Sequence, residues 1–172
     1  MWSLLSLILI FLLFVISCTI FFIVAVSDER VRSKGAEELL NALPTNISHK
    51  WIVRYNVGRP QGRFLKMKTF QGIGVIYLEN DIIKFEDILD NETHLFSLSN
   101  SKISWVENKI NGITNAFKIV DPDKTMFFYV DKGMPIVKTI EGNESTSELY
   151  AKLKTIKKAY KKSRKAELED EL

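Results

Sequence analysis

The alternation of apolar and polar positions divides the chain into a long apolar run, a stretch of strand-like alternation and a closing helical stripe. From Trp2 to Val26 there is no Asp, Glu, Lys, Arg, His, Asn, Gln, Gly or Pro. A helix rises about 1.5 Å per residue and roughly 20 apolar residues cross the hydrocarbon of a bilayer, so residues 2–26 suffice for a transmembrane helix with some tilt. A core helix of a soluble protein carries one apolar stripe, whereas this run is apolar on every side. A cleaved secretory signal has basic residues ahead of a shorter apolar core. The reading is therefore a retained signal anchor.

Val15-Ile16-Ser17-Cys18 has the form of a lipoprotein cleavage box, but the sequence stays mostly apolar from Thr19 to Val26. Cys18 reads instead as a small hydrophobe within the membrane. Residues 27–50 read as a juxtamembrane helix and linker. Ser27 is a plausible N-cap, Asp28 and Glu29 occupy the first turn, and Val31, Leu39, Leu40 and Leu43 are apolar. Pro44 should end the helix at Leu43. This segment is expected to act as a tether.

At Trp51 the period shortens to that of a strand. The runs 51–57, 63–70, 72–79, 82–87, 94–98, 102–106, 115–120 and 125–130 are rich in β-branched and aromatic residues, at the spacing of a small antiparallel barrel or sandwich of about seven strands. Asn80-Asp81 between two such runs predicts a tight hairpin, and Asp121-Pro122-Asp123-Lys124 predicts a turn. Ser145-Thr146-Ser147 with Glu148 opens a helix on which Leu149, Leu153, Ile156 and Tyr160 form one apolar stripe. That stripe should cap an open end of the barrel. The domain is placed at 51–162, with a charged tail over 163–172.

Composition changes the picture in two places. One cysteine, lying in the apolar run, excludes a disulfide framework and a cysteine-based metal site. A net charge of +3 conceals blocks of opposite sign. Arg54, Arg59, Arg63, Lys66 and Lys68 stand without an acid among them, an acidic block follows from Glu79 to Glu107, and Lys152 to Lys165 is basic again. Arg30, Arg32 and Lys34 beside the apolar run favour a cytoplasmic domain, since Lys and Arg set orientation. The opposing signal is three glycosylation-type triplets, at Asn46, Asn91 and Asn143.

The order of seven short strands and one C-terminal amphipathic helix resembles the pleckstrin-homology (PH) superfold. The phrasing of residues 74–85, 98–107, 117–129 and 148–153 is similar to the GRAM and bacterial PH-like families. The resemblance covers residues 51–162 and departs over Asp131 to Asn143, a longer approach to the closing helix than those families show. It implies a barrel closed by the helix, and basic residues around an early hairpin that meet anionic headgroups. Another small barrel, such as a lipocalin-like one, is the alternative fold.

Arg54, Arg59, Arg63, Lys66 and Lys68 are accordingly the candidates for anionic lipid headgroups, each Lys or Arg near such a surface gaining about 1 kcal/mol. A solvated basic face is the competing account. Lys157, Lys158, Lys161, Lys162, Arg164 and Lys165 form a secondary basic patch. No nucleic-acid fold signature accompanies it, so nucleic acid is not expected as a partner. His49 and His94 have no companions at metal-ligand spacing, and no nucleophile sits in a recognisable elbow. The sequence reads as a non-catalytic, single-pass membrane protein without cofactor or metal. Its PH-like domain is expected to bind or scaffold a protein partner at the cytoplasmic membrane surface. A structural subunit of a membrane complex and an extracytoplasmic anchored domain are the alternatives.

Overall fold

The computed structural model describes residues 4–58, 71–88, 92–107, 115–130 and 144–170. The expected strand 63–70 and the stretch 131–143 lie outside the described residues, as do the triplet asparagines Asn91 and Asn143.

The apolar run and the juxtamembrane segment form one helix, α1, from Leu4 to Ala42. Nothing at their junction breaks it. Arg32 donates from Nε to Asp28 Oδ1 at 3.2 Å and pairs with Oδ2 at 2.9 Å, one turn apart across the change from apolar to polar. Pro44 then stops the helix as anticipated. Leu43 N–H still donates to the Leu39 carbonyl at 3.2 Å, and Ile47 N–H closes a turn onto the Pro44 carbonyl at 3.1 Å.

Seven strands follow: β1 (Lys50–Val57), β2 (Gly72–Glu79), β3 (Ile82–Asp87), β4 (Thr93–Ser97), β5 (Lys102–Val106), β6 (Ala116–Asp121) and β7 (Lys124–Tyr129). They make one open antiparallel sheet in the order β4-β3-β2-β1-β7-β6-β5. β1 to β4 pair in sequence order and so do β5 to β7, β4 and β5 lie at the two edges, and β1 joins the two halves by pairing with both β2 and β7. Asn80 takes φ 53° in the β2–β3 turn, a conformation asparagine tolerates better than most residues. At the corner between β4 and β5, Leu98 N–H donates to the Asp81 carbonyl at 3.0 Å and Ser101 N–H to the Ser97 carbonyl at 2.9 Å.

Both faces of β1 and β2 are buried, which is why these strands read as nearly continuous apolar runs rather than as alternations. On one face Trp51, Val53, Tyr55 and Ile76 join Phe85, Phe96, Phe117, Phe128 and the helix residues Leu149 and Leu153. Phe128 lies at the centre, with its ring centroid 5.1 Å from Phe85 and 5.6 Å from Phe117. On the other face Ile52, Ile73, Val75 and Tyr77 pack with Ala36, Leu43 and Ile47, flanked by Leu39, Leu40 and Ile88. The segment expected as a tether is thus the cover of the sheet's second face.

The closing helix, α2, spans Thr146–Asp170. Ser145 and Glu148 form a capping box: Glu148 N–H donates to Ser145 Oγ at 3.3 Å and Ser145 N–H to Glu148 Oε2 at 2.6 Å. Thr146 Oγ1 accepts from Val130 N–H at 3.0 Å and donates to the Val130 carbonyl at 3.2 Å, pinning the helix start to the end of β7. Leu149 and Leu153 are fully buried, while Ile156 and Tyr160 are half-buried at the edge of the same core. Beyond Tyr160 the chain stays helical as far as Asp170, with every side chain from Lys161 to Glu169 exposed. Most of the expected tail is therefore helix.

Candidate surfaces for membrane and partner contact

Among the described residues, the apolar part of α1 stands clear of the sheet. Leu7 to Ile16 and Ile20 to Val24 present large exposed apolar side chains, and the most apolar window of the helix is 0% buried. An apolar surface of this extent needs a non-aqueous environment or a partner. Farther along the same helix Ala36 has 0% exposure. One rigid element therefore joins the apolar segment to the sheet.

Three contacts orient the sheet on that helix. A Cβ at Gly35 would lie 3.0 Å from Ile88 Cγ2, so the helix passes close by the end of β3. Ile88 N–H donates to the Ile73 carbonyl at 3.3 Å, at the start of β2. One turn later on the helix, the Leu40 carbonyl accepts from Lys50 Nζ at 3.0 Å, at the start of β1. The helix thus advances from the end of β1 toward its beginning. The sheet end holding Gly58, Gln71 and Ile88 lies on the side of the apolar segment, and the end holding Lys50, Glu79 and the Asn80-Asp81 turn lies away from it. Gln71 N–H donates to the Tyr55 carbonyl at 3.0 Å and Gly58 N–H to the Thr125 carbonyl at 3.2 Å, which fixes both ends of the β1–β2 connection.

Arg54 is not part of an exposed basic face. It lies within β1, opposite Ile73 on one side and Tyr129 on the other, and is 4% exposed. Strand alternation puts it in phase with Ile52, on the face that α1 helps to cover. Its expected role at headgroups is withdrawn. Arg59, Arg63, Lys66 and Lys68 lie outside the described residues.

The secondary basic patch is divided. Lys157 Nζ donates to the Ser101 carbonyl, so this lysine is committed to the β4–β5 corner. Burial lowers its pKa, Lys161 lowers it further and Asp121 opposes both. Lys165 pairs with Glu169 at 3.5 Å, and Lys154 lies 5.5 Å from the Tyr150 ring centroid. Lys158, Lys161, Lys162 and Arg164 are exposed, and among the described residues none of them forms an ion pair.

A buried polar pair escaped the sequence. Tyr55 Oη donates to Asp87 Oδ2 at 2.5 Å across β2. The path is open because β2 carries glycine where the ring crosses: a Cβ on Gly72 would lie 2.6 Å from Tyr55 Cε1. Gly74 is tighter still, since its Cβ would meet the Glu86 carbonyl at 2.2 Å and Phe85 Cε2 at 2.5 Å. Gly74 is paired with Val53 and Asp87, so it is an ordinary ladder position emptied for its neighbours rather than a bulge. Only the Gly72-Ile73-Gly74 spacing hinted at this. Tyr77 Oη likewise donates to Glu86 Oε1 at 2.5 Å, and burial first, then that bond, raise the phenol's pKa above its ordinary value.

His94 stacks on Phe85 with centroids 5.9 Å apart, and His49 stacks on Trp51 at 5.8 Å. Among the described residues no group of three or more His, Cys, Asp or Glu could hold a metal ion. No family model matches the chain, and no curated protein or solved structure matches it either.

Proposed function

We propose that this protein is a single-pass membrane protein whose PH-like domain serves as a non-catalytic binding and scaffolding module at the cytoplasmic face of the bilayer. The observation that carries the reading is the continuity of α1: one helix is apolar and exposed over its first half and forms part of the domain's core at Ala36 and Leu39. A helix spanning hydrocarbon and then packing on a sheet fixes the domain's distance from the headgroups without a flexible linker.

The basic residues Arg59, Arg63, Lys66 and Lys68 support a headgroup contact, because the connection that carries them leaves β1 at Gly58 and enters β2 at Gln71, on the side of the apolar segment. Lysine and arginine there would add to an attachment that the anchor already supplies. The protein partner is the second half of the reading, and the exposed edges β4 and β5 are the places where an extended peptide could pair.

The test uses the full chain in liposomes. It should float with the vesicles after alkaline washing, and protease added outside should leave a protected fragment that contains residues 2–26. Extraction by the alkaline wash would refute the anchor. Reporter fusions after Leu172 in cells read the side: a reporter active only outside the cytoplasm would refute the orientation.

A further inference from the structure

We propose that the free edge of β5, flanked by a lysine stripe of α2, takes up an acidic, extended segment of a partner protein as an added strand. This rests on the binding-module reading above and names the edge and the chemistry of the partner.

The hydrogen-bond alternation of the sheet fixes which backbone groups are free. Gly58 N–H donates to the Thr125 carbonyl at 3.2 Å, so Thr125, Phe127 and Tyr129 turn their backbone groups toward β1, and Lys124, Met126 and Phe128 turn theirs toward β6. The register carries this alternation onward. Opposite Lys124, Met126 and Phe128 stand Asp121, Ile119 and Phe117, which leaves Val120, Lys118 and Ala116 turned toward Lys102, Ser104 and Val106 of β5. Ile103 and Trp105 therefore point their N–H and C=O groups away from the sheet, and β5 is its last strand. A partner strand finds main-chain donors and acceptors there.

The helix runs beside that edge. Tyr150 meets Trp105 with ring centroids 5.4 Å apart, and two turns later Lys157 reaches the Ser101 carbonyl. Tyr150 to Lys157 covers about 10 Å of helix and Ser101 to Trp105 about 13 Å of strand, so α2 lies along β5 in the opposite sense. Tyr150, Lys154, Lys157 and Lys161 stand at the i, i+4, i+7, i+11 spacing of one stripe. Lys154 Nζ lies 5.5 Å from the Tyr150 ring centroid, and Lys161 is close enough to act on the Lys157 ammonium. On the other face of the same edge are Lys102 and Ser104, with Lys118 opposite Ser104.

Charge selects the occupant. Lys102, Lys118, Lys154, Lys157 and Lys161 border the edge, against Glu107 at the end of β5 and Asp121 near Lys157. Among the described residues no acid pairs with Lys102, Lys118, Lys154 or Lys161. A strand with Glu or Asp at alternate positions sets its acids beside the helix stripe while its main chain pairs with Ile103 and Trp105. The half-buried Trp105 ring offers the same strand an apolar contact. A second copy of this chain would bring the same lysines to the edge, and like charges oppose it. The other edge lacks a uniform charge: Lys84 beside β4 is already paired with Glu79, and His94 lies 3.8 Å from Glu92.

The experiment uses the full chain in neutral detergent micelles and fluorescein-labelled peptides of about eight residues, a length that covers the edge. One peptide alternates glutamate with valine, one lysine with valine and one glutamate with proline. Anisotropy reads binding across a salt series, and hydrogen exchange reads where it occurs. The glutamate–valine peptide should bind saturably, weaken as salt rises and slow exchange over residues 102–106. The lysine–valine peptide should not bind. The glutamate–proline peptide has the same charge but lacks half of the main-chain donors, and should bind at least about tenfold more weakly. Lys154→Glu with Lys161→Glu should weaken the glutamate–valine peptide at least about tenfold. Lys158→Glu with Lys162→Glu makes the same change in net charge about a quarter turn further around the helix, and should weaken it less than about threefold. All four side chains are exposed, and circular dichroism checks that the variants fold. No binding by the glutamate–valine peptide, equal binding by the glutamate–proline one, or equal losses in the two variants overturns the proposal. Protection over β4 in place of β5 keeps the binding module and overturns its assigned edge. Peptide binding by a protein that fails the flotation test overturns the anchored reading instead.

Discussion

Replacing Ala36 with glutamate would put a carboxylate between α1 and the sheet, where Ile52, Ile73, Val75 and Tyr77 leave the alanine 0% exposed. On the helix side of this seam, Leu43 is buried and Leu39 and Leu40 are partly so. At about 1.5–3 kcal/mol for a fully buried leucine, those side chains hold the helix in place with roughly 4–6 kcal/mol. A lone buried carboxylate costs several kcal/mol even after the protein relaxes, which is of the same size. The seam should therefore open, while the aromatic core around Phe128 survives because none of its residues touches Ala36. Hydrogen exchange of the full chain in detergent micelles measures this residue range by residue range. Protection over 36–43 should fall on the order of a thousandfold, with the outer face of β2 following and β6 and β7 unchanged. A control, Glu38→Gln on the exposed side of the same turn, should exchange like the wild type. Undiminished protection over 36–43 in Ala36→Glu would refute the account of the helix as part of the core.

Other outcomes follow from the packing. Gly74→Ala should destabilise the protein by about 1–3 kcal/mol or more in urea melts, because a methyl cannot coexist with the Glu86 carbonyl and the Phe85 ring; a melt within error of wild type would contradict the contact. Thr146→Val removes both bonds to Val130 and should cost about 1–3 kcal/mol, whereas Ser145→Ala, which removes half of the capping box, should cost about 1 kcal/mol. His94 has its pKa lowered, by burial first and by Lys124 next. The folded state therefore binds its proton less readily than the unfolded chain. That contribution is complete above the unfolded value of about 6.5 and is lost as the pH falls toward the folded one. Thermal melts between neutral and mildly acidic pH should show a loss that His94→Gln reduces, and an identical slope in the variant would assign the loss elsewhere.

The parts of this fold that depend on local pattern were legible. The run from Trp2 to Val26 needs only composition to be read as long and apolar. The sequence placed β2, β3 and β5 at their observed bounds and the other four described strands within a residue, because Asn80-Asp81 and Pro122 mark turns whose chemistry is local. Ser145 and Glu148 gave the start of α2 for the same reason. What depends on distant contacts was not visible. Ala36 is a single alanine in a polar helix and carries no signal that a sheet covers it. Arg54 reads as a surface cation until β1 is known to be central and covered on both faces. The Tyr55–Asp87 bond joins residues that only the β1-β2-β3 order brings together, with glycine between them.

The absence of a hinge between the apolar helix and the sheet has a mechanical consequence. In the anchored reading proposed above, a spanning helix would answer changes in bilayer thickness by changing its tilt. A domain on a loose linker would ignore that change, but one clamped to the helix at Gly35, Ala36 and Leu43 must turn with it. From Val26 to Ala42 the helix rises about 24 Å, and on an arm of that length a change in tilt of about 10° sweeps its far end through about 4 Å. The helix would then be a lever, and bilayer thickness a variable that sets how the sheet faces the headgroups.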